Sequence, residues 1–325
     1  MNIIGIDIGG TKCSVLLGKL ENDNLSVTDK ETVLTREYPD PYRMINHLQT
    51  MIERIMKKNN VDLVSVQSIG ISCGGPLDNT RGIIQSPPNL PGWNNIPIVK
   101  LFEEKFGIPA AIQNDANACA LAEWLIGAGK GTSNMVFLTF GTGMGAGLIL
   151  NGRLYCGTNN NAGEVGHIRL AEDGPIGYGK AGSFEGFCSG GGIARLAKSV
   201  VSARLAKNEK VNFCPSVEKI EEIDTRIVTQ AALNGDPVAS EIINTAAEYL
   251  GRGLAILIDI LNPECIIIGS IYTRNESLFK PVVEKVLKKE ALPEALEVCK
   301  IKPAVLGESL GDYAALCVAV YKDMF

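Results

Sequence analysis

Apolar residues alternate with small or polar ones over residues 3–8, break at a glycine turn, and resume over 13–19. The first run is Ile4-Gly5-Ile6-Asp7-Ile8 and the turn is Gly9-Gly10-Thr11-Lys12. The design returns past mid-chain as Phe137-Leu138-Thr139-Phe140, the turn Gly141-Thr142-Gly143-Met144-Gly145, and a second apolar run, Ala146 to Leu150. Period-two patterning on both sides of a glycine turn predicts strand, tight turn, strand in each place. Further strands are predicted near 68–73, 109–113, 265–268 and 298–304. Met44, Leu48, Met51, Ile52 and Ile55 share one helical face, which predicts a helix over 41–59. Other helices are predicted at 99–106, 116–127, 190–206, 225–234, 237–260, 277–290 and 310–323. Four prolines between Pro87 and Pro97 make that stretch a loop, and residues 159–182 form a polar, glycine-rich one. Hairpins and β-α crossovers, restarted once, predict two related α/β domains with a cleft between them. The first covers residues 1–115 and is completed by a returning helix, 310–325; the second covers 116–309.

Glycine turns at strand ends have a chemical consequence. Without a Cβ, the backbone reaches positive φ and its N–H groups can approach an anion closely. Two such hairpins facing one cleft can hold a polyphosphate, which makes phosphoryl transfer the leading reading. Neither turn is a P-loop, and neither opens directly into a helix as a dinucleotide fingerprint does. One such hairpin alone would be unremarkable. Asp7 adds weight, because a carboxylate between Ile6 and Ile8 is costly unless a cation or hydrogen bonds compensate it. A Mg²⁺ ion carried by a nucleotide would do so.

Composition narrows the partners. The 325 residues are long for one core, and 46% hydrophobic with 21% charged is ordinary for a globular chain. A net charge of −5 with no run of Lys or Arg argues against a nucleic-acid surface. Strand patterning from Asn2-Ile3 leaves no room for a signal peptide, and the apolar run Leu254–Leu261, interrupted by Asp259, is too short to span a membrane. Nine cysteines without a Cys-x-x-Cys pair read as small buried hydrophobes in a reducing cytoplasm.

Several motifs occur in an order that resembles the ROK family of repressors, open-reading-frame proteins and sugar kinases. They are Asp7-Ile8-Gly9-Gly10-Thr11-Lys12, Pro76-Leu77-Asp78, Pro88-Asn89-Leu90-Pro91-Gly92-Trp93, Asn114-Asp115-Ala116-Asn117, Gly141-Thr142-Gly143-Met144-Gly145 and Gly163-Glu164-Val165-Gly166-His167. The resemblance spans nearly the whole chain. It implies two actin/hexokinase-like, ribonuclease H-like domains with ATP, Mg²⁺ and a hexose in the cleft between them, and a dimer or tetramer. Asp115 is similar to the family's catalytic base, although Asp is also a good helix N-cap. Gly75, Asn89, Asn114, Glu164, His167 and Glu185 look like the sugar ligands. Asp7, Gly9, Gly10, Thr11, Lys12, Gly141, Thr142, Gly143 and Gly269 look like the nucleotide site. Glucose, N-acetylglucosamine, N-acetylmannosamine, fructose and allose are all compatible acceptors.

The chain departs from the family at a zinc motif. Many members hold zinc with His and three cysteines, whereas Ile176, Tyr178 and Ser183 stand at the cysteine positions here. Isoleucine cannot ligate a metal, so no zinc is expected. Packing of Ile176, Tyr178 and Phe184 is expected to hold the glycine turns instead. Ser270 and Tyr313 are smaller departures, where the family more often has glycine and a less bulky residue. The family's repressor branch, a sugar sensor, would carry a DNA-reading domain ahead of Gly5, and none is expected. A sugar-binding protein without activity is the remaining alternative.

Overall fold

The computed structural model describes residues 1–22 and 24–322. Two five-stranded sheets organise it. The first contains β1 (Asn2–Ile8), β2 (Lys12–Glu21), β3 (Asn24–Leu34), β4 (Val66–Cys73) and β5 (Ala110–Asn114), in the order β3-β2-β1-β4-β5. The second contains β6 (Met135–Phe140), β7 (Met144–Leu150), β8 (Arg153–Tyr155), β9 (Cys265–Ile268) and β10 (Lys300–Pro303), in the order β8-β7-β6-β9-β10. Each begins with an antiparallel hairpin, Ile8 opposite Cys13 and Phe140 opposite Met144, and adds two parallel strands on the other side. Strand for strand, the second sheet repeats the first. The restarted hairpins predicted this repetition, and the actin/hexokinase-like α/β fold is the one that the family resemblance implied.

Burial explains the patterning. Ile4, Ile6 and Ile8 pack with Met44, Leu48, Met51, Ile52 and Ile55 of the helix Pro41–Lys58. Ile3 and Leu16, on the other face, belong to a core layer shared with Met135, Phe137 and Ile149 of the second sheet. Between the sheets lie the helices Asp115–Leu125 and Leu310–Lys322. The last helix approaches the first sheet where glycines make room: a Cβ at Gly70 would stand 2.2 Å from the Ala315 carbonyl oxygen. Ser68 Oγ donates to the Ala319 carbonyl at 3.0 Å in the same contact. The end of that helix expected at 323–325 lies outside the described residues. Among the described residues no helix is long and apolar enough to cross a membrane. The cysteines are unpaired, and most are buried.

Glu123 fixes the central helix in place. It is fully buried, and its Oε1 accepts the N–H groups of Val305 and Leu306 at 3.0 and 3.1 Å. Its Oε2 accepts Ala128 N–H at 2.8 Å. One carboxylate thus ties the helix that begins at Asp115 to the segment leading into the last helix. A Glu123→Gln variant places an amide N–H₂ against one of these donor sets, and we expect a loss of about 2 kcal/mol of stability. Urea unfolding checks this; a loss below about 0.5 kcal/mol would show the hub to be dispensable.

Candidate active site

The two glycine turns open on one cleft of about 950 Å³. The β1–β2 turn contributes Gly10 and Thr11; the β6–β7 turn contributes Gly141, Thr142 and Gly143. The start of the central helix supplies Asn114 and Asp115, and the loop after β4 supplies Gly75. Asn89 comes from the proline-rich loop, Glu164 and His167 from the polar loop, and Glu185 from the short helix Phe184–Phe187. Every residue matched to the sugar site therefore faces the same cavity. Four residues matched to the nucleotide site do not line it. Asp7 lies in β1, Gly9 opens the turn and Lys12 begins β2, while a Cβ at Gly269 would meet the Phe137 ring at 3.2 Å.

Each turn touches one residue of the opposite group. A Cβ at Gly10 would stand 2.6 Å from the Asn89 carbonyl oxygen, and one at Gly143 would stand 2.9 Å from Glu185 Oε2. Glu185 also accepts Met144 N–H at 3.0 Å, so a carboxylate in the cleft holds the backbone of the second turn. Gly163, at φ +90°, lays the polar loop across β7, where its carbonyl accepts Ala146 N–H at 2.8 Å. A Cβ there would come within 2.1 Å of the Ala146 oxygen, so only glycine permits this approach. That contact sets Glu164 at the cleft wall.

The helix start separates the roles of Asn114 and Asp115. Asn114 is the cap, its Oδ1 accepting Asn117 N–H at 2.7 Å, and Asp115 is the first helical residue. Asp115 Oδ1 accepts Ala116 N–H at 2.8 Å. Desolvation by the surrounding protein raises its pKa above the ordinary 3.8, and these backbone hydrogen bonds only partly offset the effect. Glu164 is raised too, by desolvation first and by the charges of Asp115 and Glu185, against the pull of His167. Asp7 is pushed to about 6 by burial, with Asp312 and Asp115 adding to the rise and Lys12 and Lys30 opposing it. Lys30 Nζ in turn pairs with Asp312 Oδ1 at 2.6 Å. Burial and mutual repulsion raise the pKa of three carboxyls in and behind one cleft, so their ionised forms would be stabilised by a cation placed among them.

Residues 3–320 match the ROK family pattern. The chain belongs to the ROK family. It is 29% identical to a glucokinase of Halalkalibacterium halodurans over 311 residues, 95% of this chain and 92% of that protein. It is 31% identical to a xylose repressor of Caldicellulosiruptor bescii over 307 residues, 93% of this chain and 75% of that protein. Its fold superposes, with a TM-score of 0.74 and 28% identity, on a ROK glucokinase from Streptomyces griseus solved with glucose and AMPPNP; the match covers 98% of this chain and 99% of that one. Enzymes and regulators thus both stand among the ROK relatives.

At the departures from the ROK pattern, the packing expected of Ile176, Tyr178 and Phe184 is found only at Phe184, which is fully buried. Ile176 is 54% exposed and Tyr178 73%. Hydrogen bonds hold the segment instead. Ser183 Oγ donates to the Gly177 carbonyl at 3.4 Å and accepts Gly186 N–H at 3.1 Å, and Lys180 Nζ donates to the His167 carbonyl at 2.7 Å. Among the described residues, no three His, Cys, Asp or Glu side chains converge as a metal site. Ser270 takes φ +56° and ψ −110°, a conformation suited to glycine.

Sequence reasoning passed over Thr35. Its Oγ1 donates to the Gly9 carbonyl at 2.6 Å and its N–H to the Thr11 carbonyl at 3.0 Å, clamping the first turn from outside the motif. No local pattern marks Thr35; it becomes a clamp only because β3 ends beside the turn.

Proposed function

We propose that this ROK protein transfers the γ-phosphoryl group of ATP to a hydroxyl of a hexose or N-acetylhexosamine. The observation that carries the reading is the position of Asp115, a carboxylate open to a cleft that two glycine turns enter and that Asn89, Asn114, Glu164, His167 and Glu185 also line. Amide, carboxylate and imidazole groups in that number suit a ligand with many hydroxyls. The similarity to a glucokinase solved with glucose and AMPPNP supports the same assignment.

The residues present fit a nucleoside triphosphate. Gly10, Gly141 and Gly143 line the cleft without side chains, which leaves backbone N–H groups of each turn accessible to phosphate oxygens, and Thr11 and Thr142 line it beside them. Asp7, Lys12 and Gly9 complete that side in our reading, with Gly269 behind it. Magnesium entering with ATP supplies charge neutralisation on the transferring group. The chain's own work is then positioning: Glu164, His167, Asn114 and Glu185 orient the sugar, and Asp115 accepts the proton of the attacking hydroxyl. In this proposal residues 1–115 with the last helix form one wall and residues 116–309 the other.

A panel of hexoses with Mg·ATP, scored by coupled ADP release, tests the proposal. Turnover of at least one hexose is expected. Tight hexose binding without turnover would favour the second reading, a sugar-sensing regulator, which the xylose repressor relative supports. Elemental analysis of the purified protein is expected to give zinc well below one equivalent, because Ile176, Tyr178 and Ser183 stand where the family's cysteine ligands would be. Stoichiometric zinc would overturn this.

A further inference from the structure

The short hairpin beside His167 carries a tyrosine where its turn has no use for one. Ile176 pairs with Ala181 and Gly177 with Lys180, so Tyr178 and Gly179 are the two central residues of the turn. Both have positive φ, +43° and +77°. That is the signature of a type I′ turn, whose first central position favours Asn, Asp or Gly because other side chains crowd the backbone there. A tyrosine at this point is a cost to folding, and burial does not offset it, since the side chain remains 73% exposed. Backbone outliers without a folding rationale concentrate at ligand sites.

The ring's position gives the cost a purpose. Tyr178 lines the cleft together with Glu164, His167 and Glu185. Its ring meets the His167 ring edge to face, with centroids 5.0 Å apart and planes at 80°. The same hairpin fixes His167 from behind, through Lys180 Nζ on its carbonyl. An imidazole and a phenol ring set at right angles form a corner, one wall able to hydrogen-bond hydroxyls and the other apolar. A pyranose has matching surfaces: hydroxyls on its rim and C–H groups on its face.

We propose that Tyr178 is a specificity-determining residue of the acceptor site, stacking its ring on the C–H face of the sugar while His167 takes a hydroxyl. This rests on the reading of the cleft as a hexose site. Acceptors with an unbroken apolar ring face gain from the contact, and those with an axial substituent on that face lose it.

The test is the Tyr178→Asn variant, which installs a residue the turn prefers, alongside Tyr178→Phe. Glucose and N-acetylglucosamine serve as probes. Calorimetric binding of each to the protein without nucleotide is measured beside steady-state kinetics and thermal melting. For Tyr178→Asn, the expected result is a dissociation constant and sugar KM raised about tenfold for the better probe, with kcat and the KM for ATP within about threefold of wild type. Its melting temperature is expected to be equal or higher, which separates lost contact from lost fold. Tyr178→Phe restores sugar binding to within about threefold, because it keeps the ring. Wild-type binding of a probe that Tyr178→Asn leaves unchanged overturns this inference alone. A wild type that neither binds nor phosphorylates either probe or any hexose of the panel overturns the functional reading, and this inference with it.

Discussion

Replacing Asp115 by Asn is expected to lower kcat by about two to four decades, the usual consequence of losing a general base, while sugar affinity changes by less than about threefold. The variant isolates chemistry from structure. Asparagine keeps the volume and one carbonyl oxygen, so the Ala116 N–H still has its acceptor, and Asn114 still caps the helix. What disappears is the ability to take a proton. The pH dependence gives a second, independent readout. Desolvation holds the Asp115 carboxyl above its ordinary 3.8, and in the proposed role it works only when deprotonated. Turnover of the wild type should therefore fall on the acid side with a midpoint above that ordinary value, and this limb should be absent from the residual activity of Asp115→Asn. Turnover within about threefold of wild type would remove Asp115 from the proposed role. An acid limb that survives in the variant would transfer it to Glu164, the other cleft carboxyl with a raised pKa.

How much of this arrangement could be read beforehand depends on the range of the interactions involved. The hairpins β1–β2 and β6–β7, the helix Gly190–Ala206 and the strand Cys265–Ile268 were legible because a period and a turn residue act over a few positions. β3 was not, since it lies at the sheet edge and buries only Leu25 and Val33 of its 11 residues, which leaves almost no apolar alternation to detect. The site residues were legible as motifs, and their convergence was not. That Gly10 abuts Asn89, that Glu185 holds Met144 N–H, and that Thr35 clamps Gly9 are facts of tertiary approach between segments far apart in the chain. The 176–186 stretch shows the limit most plainly. Its side-chain types suggested packing, yet Ile176 and Tyr178 stay exposed, Tyr178 on the cleft lining, and the hydroxyl of buried Ser183 with the ammonium of Lys180 does the holding. Small polar groups do that through backbone partners that sequence patterning does not reveal.

Asp7→Asn is expected to make the protein more stable and the proposed phosphoryl transfer slower. In the folded chain Asp7 ionises near pH 6, against an ordinary 3.8, because burial comes first and the charges of Asp312 and Asp115 add to it. Between those two values the folded state keeps a proton that the unfolded chain has lost. Stability therefore falls as pH rises through that window and stays low above it. At pH 7.5 the ionised carboxylate costs the nucleotide-free protein about 2–3 kcal/mol. Asparagine removes the charge without changing the shape, so the variant should unfold at a higher temperature, by several degrees for a chain of this size. The gain should shrink toward pH 4.5, where the wild-type carboxyl is protonated in its folded state. Catalysis moves the other way: without a negative group beside the first turn, the cation that accompanies ATP loses its counter-charge, and kcat/KM for ATP should drop by about two decades. Thermal melts of both proteins from pH 4.5 to 8, taken with ATP kinetics, check the pair of effects. A variant less stable than wild type at pH 7.5 would mean that Asp7 is compensated within the protein itself, and the raised pKa would lose its functional meaning. A variant that is more stable and fully active would place the cation elsewhere, on a group that does not depend on Asp7.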